Sequence, residues 1–99
     1  MSNSVDVMAV DETPRPSDYV VGQTTADGAV LINMSTGDCF ELNRSGAKIW
    51  SLLASGNSVS AIAAAVAADH GIAAEAVEAD VRALLAELGR RGLVRPSSR

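Results

Sequence analysis

The sequence predicts an α+β domain, a three-stranded antiparallel sheet followed by three helices. Two observations lead to this. From Tyr19 to Asn43 β-prone runs alternate with turn signals, and from Arg44 to Arg91 apolar residues recur at helical spacing. The 99 residues, 47% of them hydrophobic and 20% charged, are enough for one small domain with one core. A domain of this size buries only about two-thirds of its unfolded surface, so its stability margin is modest and a partner that completes its surface adds to it.

Residues 1 to 17 hold Asp6, Asp11, Glu12, Pro14 and Pro16 without a sustained period, which predicts a flexible N-terminal arm. The domain proper is expected over residues 18 to 95, with 96 to 99 as a C-terminal tail. "YVVGQTT", the turn signal "ADG" and "AVLINM" form a first hairpin. In "MSTGD", Gly37 stands where a short loop needs a positive φ, and "DCFELN" follows as the third strand. Alternation puts Asp38, Phe40 and Leu42 on one face and Cys39 and Glu41 on the other.

Asn43 is a good N-cap for a first helix over residues 44 to 54, whose apolar face is Ile49, Trp50, Leu52 and Leu53 and whose end is Ser55-Gly56. Ser58 caps a second helix with Val59, Ile62 and Val66 on one face, closed by His70-Gly71. Its alanine run favours helix and leaves a thin surface that neighbours can approach closely. A third helix, Ala74 to Arg91, carries Val77, Val81, Leu84, Leu85 and Leu88 at helical spacing before Gly92 releases "LV" into a short tail. It is the most strongly amphipathic segment.

Charge and composition exclude several function classes. A formal net charge of -4 opposes nucleic acid, whose binding depends on Lys and Arg neutralising phosphates. The single cysteine forms no internal disulfide and has no zinc-ligand spacing around it, which fits a reducing, cytoplasmic setting. The N-terminus lacks the basic start and apolar core of an export signal, and no apolar run approaches the roughly 20 residues of a membrane span.

Catalysis has little to rest on. There is no glycine-rich phosphate loop and no nucleophile motif, and His70 stands alone at a helix end. Cys39, flanked by Asp38 and Glu41, lacks the electropositive surroundings that activate a thiol. Glu75, Glu78, Asp80 and Glu87 read as a solvated helix face, with Glu78 and Arg82 spaced for an i,i+4 pair. The order of elements resembles winged-helix DNA readers, yet the would-be recognition helix begins "AAEAVEAD" and its arginines come only at the far end. What remains is the third strand. An open strand edge is covered, self-associates, or accepts an extended peptide as a further strand.

Across residues 19 to 95 the sequence resembles the PqqD-like family, the precursor-recognition domains of ribosomally made, modified peptides. The resemblance is carried by Gly37, Phe40, Leu42 and Asn43 on the strand, by Gly46, Ile49 and Trp50 on the first helix, by Ser58 and Ile62, by Gly71, and by the pattern from Glu78 to Leu88. "AVLINMSTGDCFELN" is most similar to the free-standing members that serve lasso peptide assembly. The family often begins the third helix with an Asp cap and Pro, where this chain has Ala73-Ala74, a loss of about 1 kcal/mol.

The resemblance implies a winged-helix-like, non-catalytic domain without metal or cofactor, in which the leader of a precursor peptide adds beside the third strand and lies against the third helix. On that implication the backbone of Asp38, Cys39, Phe40, Glu41 and Leu42 pairs with the leader. Helical spacing draws the other wall from Asp80, Val81, Leu84, Leu85 and Glu87 without separating cleft from core. Phe40, Trp50 and Leu88 are assigned to the core. The implied second partner is a processing enzyme, a cysteine-protease-type leader peptidase or else a radical SAM enzyme; a DNA-binding regulator and a self-associating subunit are the alternatives of other classes.

Overall fold

Three antiparallel strands, in the order β2 (Val20–Thr24), β3 (Ala29–Asn33) and β4 (Cys39–Leu42), lead directly into α1 (Arg44–Ala54), α2 (Val59–His70) and α3 (Ala74–Arg90). The computed structural model describes residues 14 to 95. The α+β order is as the sequence predicts. A second sheet of two short strands, β1 (Arg15–Pro16) and β5 (Val94–Arg95), joins the two ends of the described chain.

The sheet has one buried face. Ala29, Leu31 and Asn33 of β3 and Leu42 of β4 are buried, while Val30 and Ile32 are half-buried on the other side. The helices cover the inner face only, and the core they close contains Leu53 from α1, Val59 and Ile62 from α2, and Val81, Leu85 and Leu88 from α3. Phe40 and Trp50, expected in this core, are instead half-buried and pack against it from the rim. Phe40 is on the outermost strand of the sheet and Trp50 lies against Gly22 of β2, so each ring covers the core without being enclosed by it. Leu88 is fully buried.

The local signals act as anticipated. Asn43 Oδ1 accepts from the Gly46 N–H at 2.8 Å and Ser58 Oγ accepts from the Ala61 N–H at 3.1 Å, capping α1 and α2. Ala73 offers α3 no such bond. Gly37 has φ +85° in the turn between β3 and β4. Gly28 answers a different need: a Cβ there would stand 1.9 Å from the Leu42 carbonyl oxygen, so only glycine lets the β2/β3 turn cross the end of β4. Lys48 on α1 pairs with Asp69 on α2 at 2.6 Å and holds that carboxyl below its usual range.

The last four residues of the expected arm are ordered into the domain. Pro14 is fully buried, the Ser17 N–H donates to the Leu93 carbonyl at 3.0 Å, and Ser17 Oγ donates to the Gly92 carbonyl at 2.8 Å. Leu93 and Val94, expected in a short tail, are core residues. A two-residue pairing between chain ends is too short to show a period, and its prolines read as breakers. The remainder of the arm, residues 1 to 13, and the tail, 96 to 99, lie outside the described residues.

Ser17→Ala removes one partly buried hydrogen bond at this closure. The expected cost is about 1 kcal/mol, seen as a fall of roughly 4–8 °C in Tm by calorimetry; an unchanged Tm would mean that the β1/β5 junction does not contribute to stability.

Candidate functional site

The phase of the sheet's hydrogen bonds decides what β4 offers to its surroundings. Leu31 lies opposite Phe40 and Ala29 opposite Leu42, and the Asn33 N–H donates to the Asp38 carbonyl at 2.8 Å. Bonded pairs alternate along an antiparallel ladder, so residues 38, 40 and 42 turn their backbone groups toward β3. The N–H and C=O of Cys39 and Glu41 therefore face away from the sheet. No other described strand pairs with that edge.

The edge opens on a groove whose opposite wall is α3. An open cavity of about 300 Å³ is lined by Phe40, Glu41, Leu42 and Asn43, by Ser45, Gly46 and Ile49 of α1, and by Asp80 and Leu84 of α3. A smaller one of about 70 Å³ continues past the Phe40 ring and is lined by Asp38, Cys39, Phe40, Arg91 and Leu93. Phe40 borders both. The floor is apolar, the Glu41 backbone forms part of the β4 wall, and the exposed Asp80 carboxylate flanks the larger cavity on the α3 wall.

Of the α3 residues drawn from helical spacing, Asp80 and Leu84 line the groove, whereas Val81 and Leu85 do not. Val81 is 0% and Leu85 1% exposed, both in the core with Val77 and Leu88. Residues 80, 84, 87 and 91 follow one another by three or four positions and share the outward face, while 77, 81, 85 and 88 form the inward one. The sequence reports both stripes as a single amphipathic surface because Leu84 is as apolar as its buried neighbours.

Glu87 stands beyond Leu84 and lines neither cavity; it acts on the site through Arg91. Its carboxylate accepts from Arg91 Nε at 2.8 Å and from the Arg90 guanidinium, and the Arg91 guanidinium lies over the Phe40 ring, 4.7 Å from its centroid. The two arginines, Arg91 first, hold the Glu87 carboxyl below its usual range. Arg91 was missed at the sequence level, although it lies seven residues after Leu84 and four after Glu87, on the same face. Asn43, Ser45 and Gly46 were missed as groove residues because they are recognisable there only as the start of α1.

The arrangement suits an extended chain. Two outward backbone donors and two acceptors stand beside an apolar trough, and no group of three or more His, Cys, Asp or Glu residues among the described ones is placed to hold a metal ion. No helix among the described residues is long and apolar enough to cross a membrane.

The sequence model of coenzyme PQQ synthesis protein D (PqqD) matches residues 28–94. The chain belongs to the PqqD family. Two solved structures share the fold of this PqqD-family chain. TbiB1, in complex with the TbiA(beta) leader peptide, is 33% identical with a TM-score of 0.79, over 86% of this chain and 99% of that one. Lasso peptide synthetase B1, complexed with the leader peptide, is 24% identical with a TM-score of 0.75, over 83% and 96% of the two chains. No curated protein matches the chain.

Two consequences can be measured. Val81→Asp puts a carboxylate into the core of this PqqD-family domain and is expected to unfold it at room temperature, whereas Leu84→Asp, at the groove, keeps native helical circular dichroism with a loss below about 1.5 kcal/mol. Equal damage from both would return Leu84 to the core. The folded state favours the Glu87 carboxylate, so its contribution is complete above the ordinary value of 4.5 and disappears as pH falls through the lower folded value. The Tm gap between wild type and Glu87→Gln is thus expected to be full above about pH 5 and to close on acidification; a gap that widens toward acid would refute this.

Proposed function

We propose that this PqqD-family chain is a non-catalytic recognition domain that binds the leader of a ribosomally synthesised precursor peptide by strand addition along β4. It then delivers the peptide to a separate processing enzyme. The observation behind this is the edge of β4, whose Cys39 and Glu41 backbone groups face an apolar groove walled by α3. The likeness to TbiB1, whose structure holds a leader peptide, supports the same reading.

Backbone pairing supplies sequence-tolerant affinity, and the trough supplies selection. An added strand puts alternate side chains over Leu84, Ile49 and Leu42 on the inner side of the sheet, so the leader carries apolar residues at every second position there. The Asp80 carboxylate favours a basic residue at one end of the trough, and Arg91 an acidic one at the other. Of the residues expected from the sequence, the backbone of Cys39 and Glu41 pairs with the leader, the side chains of Phe40, Leu42, Asp80 and Leu84 face it, Val81 and Leu85 support them from the core, and Glu87 sets the position of Arg91.

The processing enzyme on this reading is the leader peptidase of a lasso-type pathway, a cysteine protease. The family's description as a coenzyme PQQ synthesis protein favours a second partner class, a radical SAM enzyme acting on its own precursor. The recognition step at β4 is common to both.

Titration of the isotope-labelled protein with the leader encoded beside it, followed by backbone amide NMR, is expected to shift residues 38 to 42 and the outward face of α3. Glu41→Pro removes one outward N–H without touching the β3 ladder, and is expected to weaken the leader about 3–10-fold, the worth of one hydrogen bond. Absent shifts at saturating peptide, or full affinity in Glu41→Pro, would defeat strand addition here.

A further inference from the structure

The face of the sheet turned away from the helices plays no part in the groove, yet it carries apolar side chains open to solvent. Two large hydrophobic side chains of the β2/β3 hairpin, Val21 and Met34, are exposed there. Val21 is 48% and Met34 63% exposed. Val21 lies opposite Ile32, and Ile32 in turn opposite Cys39, so an apolar row crosses all three strands on the outer face. No described element covers it.

The rim of this face has one sign. Asp27 in the β2/β3 turn, Asp38 in the β3/β4 turn and Glu41 on β4 are exposed and form no ion pair with another described residue. From Asp18 to Asn43 the sequence contains no lysine or arginine. An apolar centre with an acidic rim is the pattern of a protein interface, and its complement is an apolar patch edged with Lys and Arg.

Charge also selects among occupants. A second copy would bring the same acidic rim and a net charge of -4 into an isologous contact, like against like. Residues 1 to 13 of the chain itself carry Asp6, Asp11 and Glu12 and no basic residue, so they too are repelled. Nucleic acid and anionic membrane surfaces fail for the same reason.

We propose that the outer face of the β2-β3-β4 sheet is the docking surface for the processing enzyme, which meets it with an apolar patch rimmed by basic side chains. This rests on the leader-binding reading and adds to it a way of coupling the two events. A strand added at β4 extends the outer face by one strand, and its alternate side chains emerge beside Cys39 and Glu41. The enzyme then meets one surface made jointly by the domain and the peptide, and the loaded domain is held more tightly than the empty one.

The test uses the full chain, its leader and the processing enzyme encoded with the precursor. Val21→Arg and Met34→Arg place positive charge on the outer face, away from the groove; Met34→Arg, in a turn, serves if Val21→Arg fails to fold by circular dichroism. The expected result is leader affinity within twofold of wild type, with enzyme binding by interferometry weakened tenfold or more and processing at limiting protein slowed to match. Wild-type complex should also weaken as salt rises from 50 to 500 mM. Enzyme binding and processing unchanged in the variants would overturn the proposal, as would a concentration-dependent dimer of the protein alone that these substitutions abolish. Loss of leader binding in the wild type would instead sink the reading at β4, which the same titration reports separately.

Discussion

The pairing of β4 on one side only is the constraint on which the rest of the structure depends. Its ladder with β3 consumes the Asp38 carbonyl and the backbone groups of residues 40 and 42 and sets the phase by which Cys39 and Glu41 present theirs to solvent. Unpaired strand edges are a liability that proteins cover or use. Here the edge borders a trough with an apolar floor, and the second wall is placed by a core in which Val81, Leu85 and Leu88 are buried against the sheet and the other helices. Substitutions in that core alter the width of the groove before they alter its chemistry.

Two apparently minor features follow from the same geometry. Because α1 begins immediately after β4, its first turn contributes Asn43, Ser45 and Gly46 to the groove, and the Asn43 cap that starts the helix also fixes the end of the edge strand. Because the outward stripe of α3 runs on to Arg91, the helix ends over Phe40, where Glu87 tethers the guanidinium on the ring. The groove is thereby divided at Phe40 into a larger apolar part flanked by the Asp80 carboxylate and a smaller part beside a cation.

The two faces of β4 have separate tasks. Phe40 and Leu42 turn inward and shape the trough, while Cys39 and Glu41 lend their side chains to the outer face and their backbone to the edge. A bound strand would continue both surfaces at once. On the proposed reading, that would let the 82 described residues, 14 to 95, hold a peptide and present it on the outer face at once.

Much of this was legible in the sequence, because it is local. Strand alternation at "DCFELN", the Asn43 and Ser58 caps, the Gly37 turn and the apolar spacing of α3 depend on neighbours within a few residues, and each holds in the structure. Periodicity placed Val81, Leu84 and Leu85 on one surface and could go no further, since an apolar stripe looks the same whether packed or open. The pairing of Arg15–Pro16 with Val94–Arg95, the seating of Arg91 on Phe40 and the division of α3 into an inward and an outward row join residues distant in the chain. The sequence by itself determined which elements form and in what order, because propensity, capping and turns are short-range. Only the tertiary structure decided which strand edge stays open and which side chains face it, because both depend on what fills the space beside them.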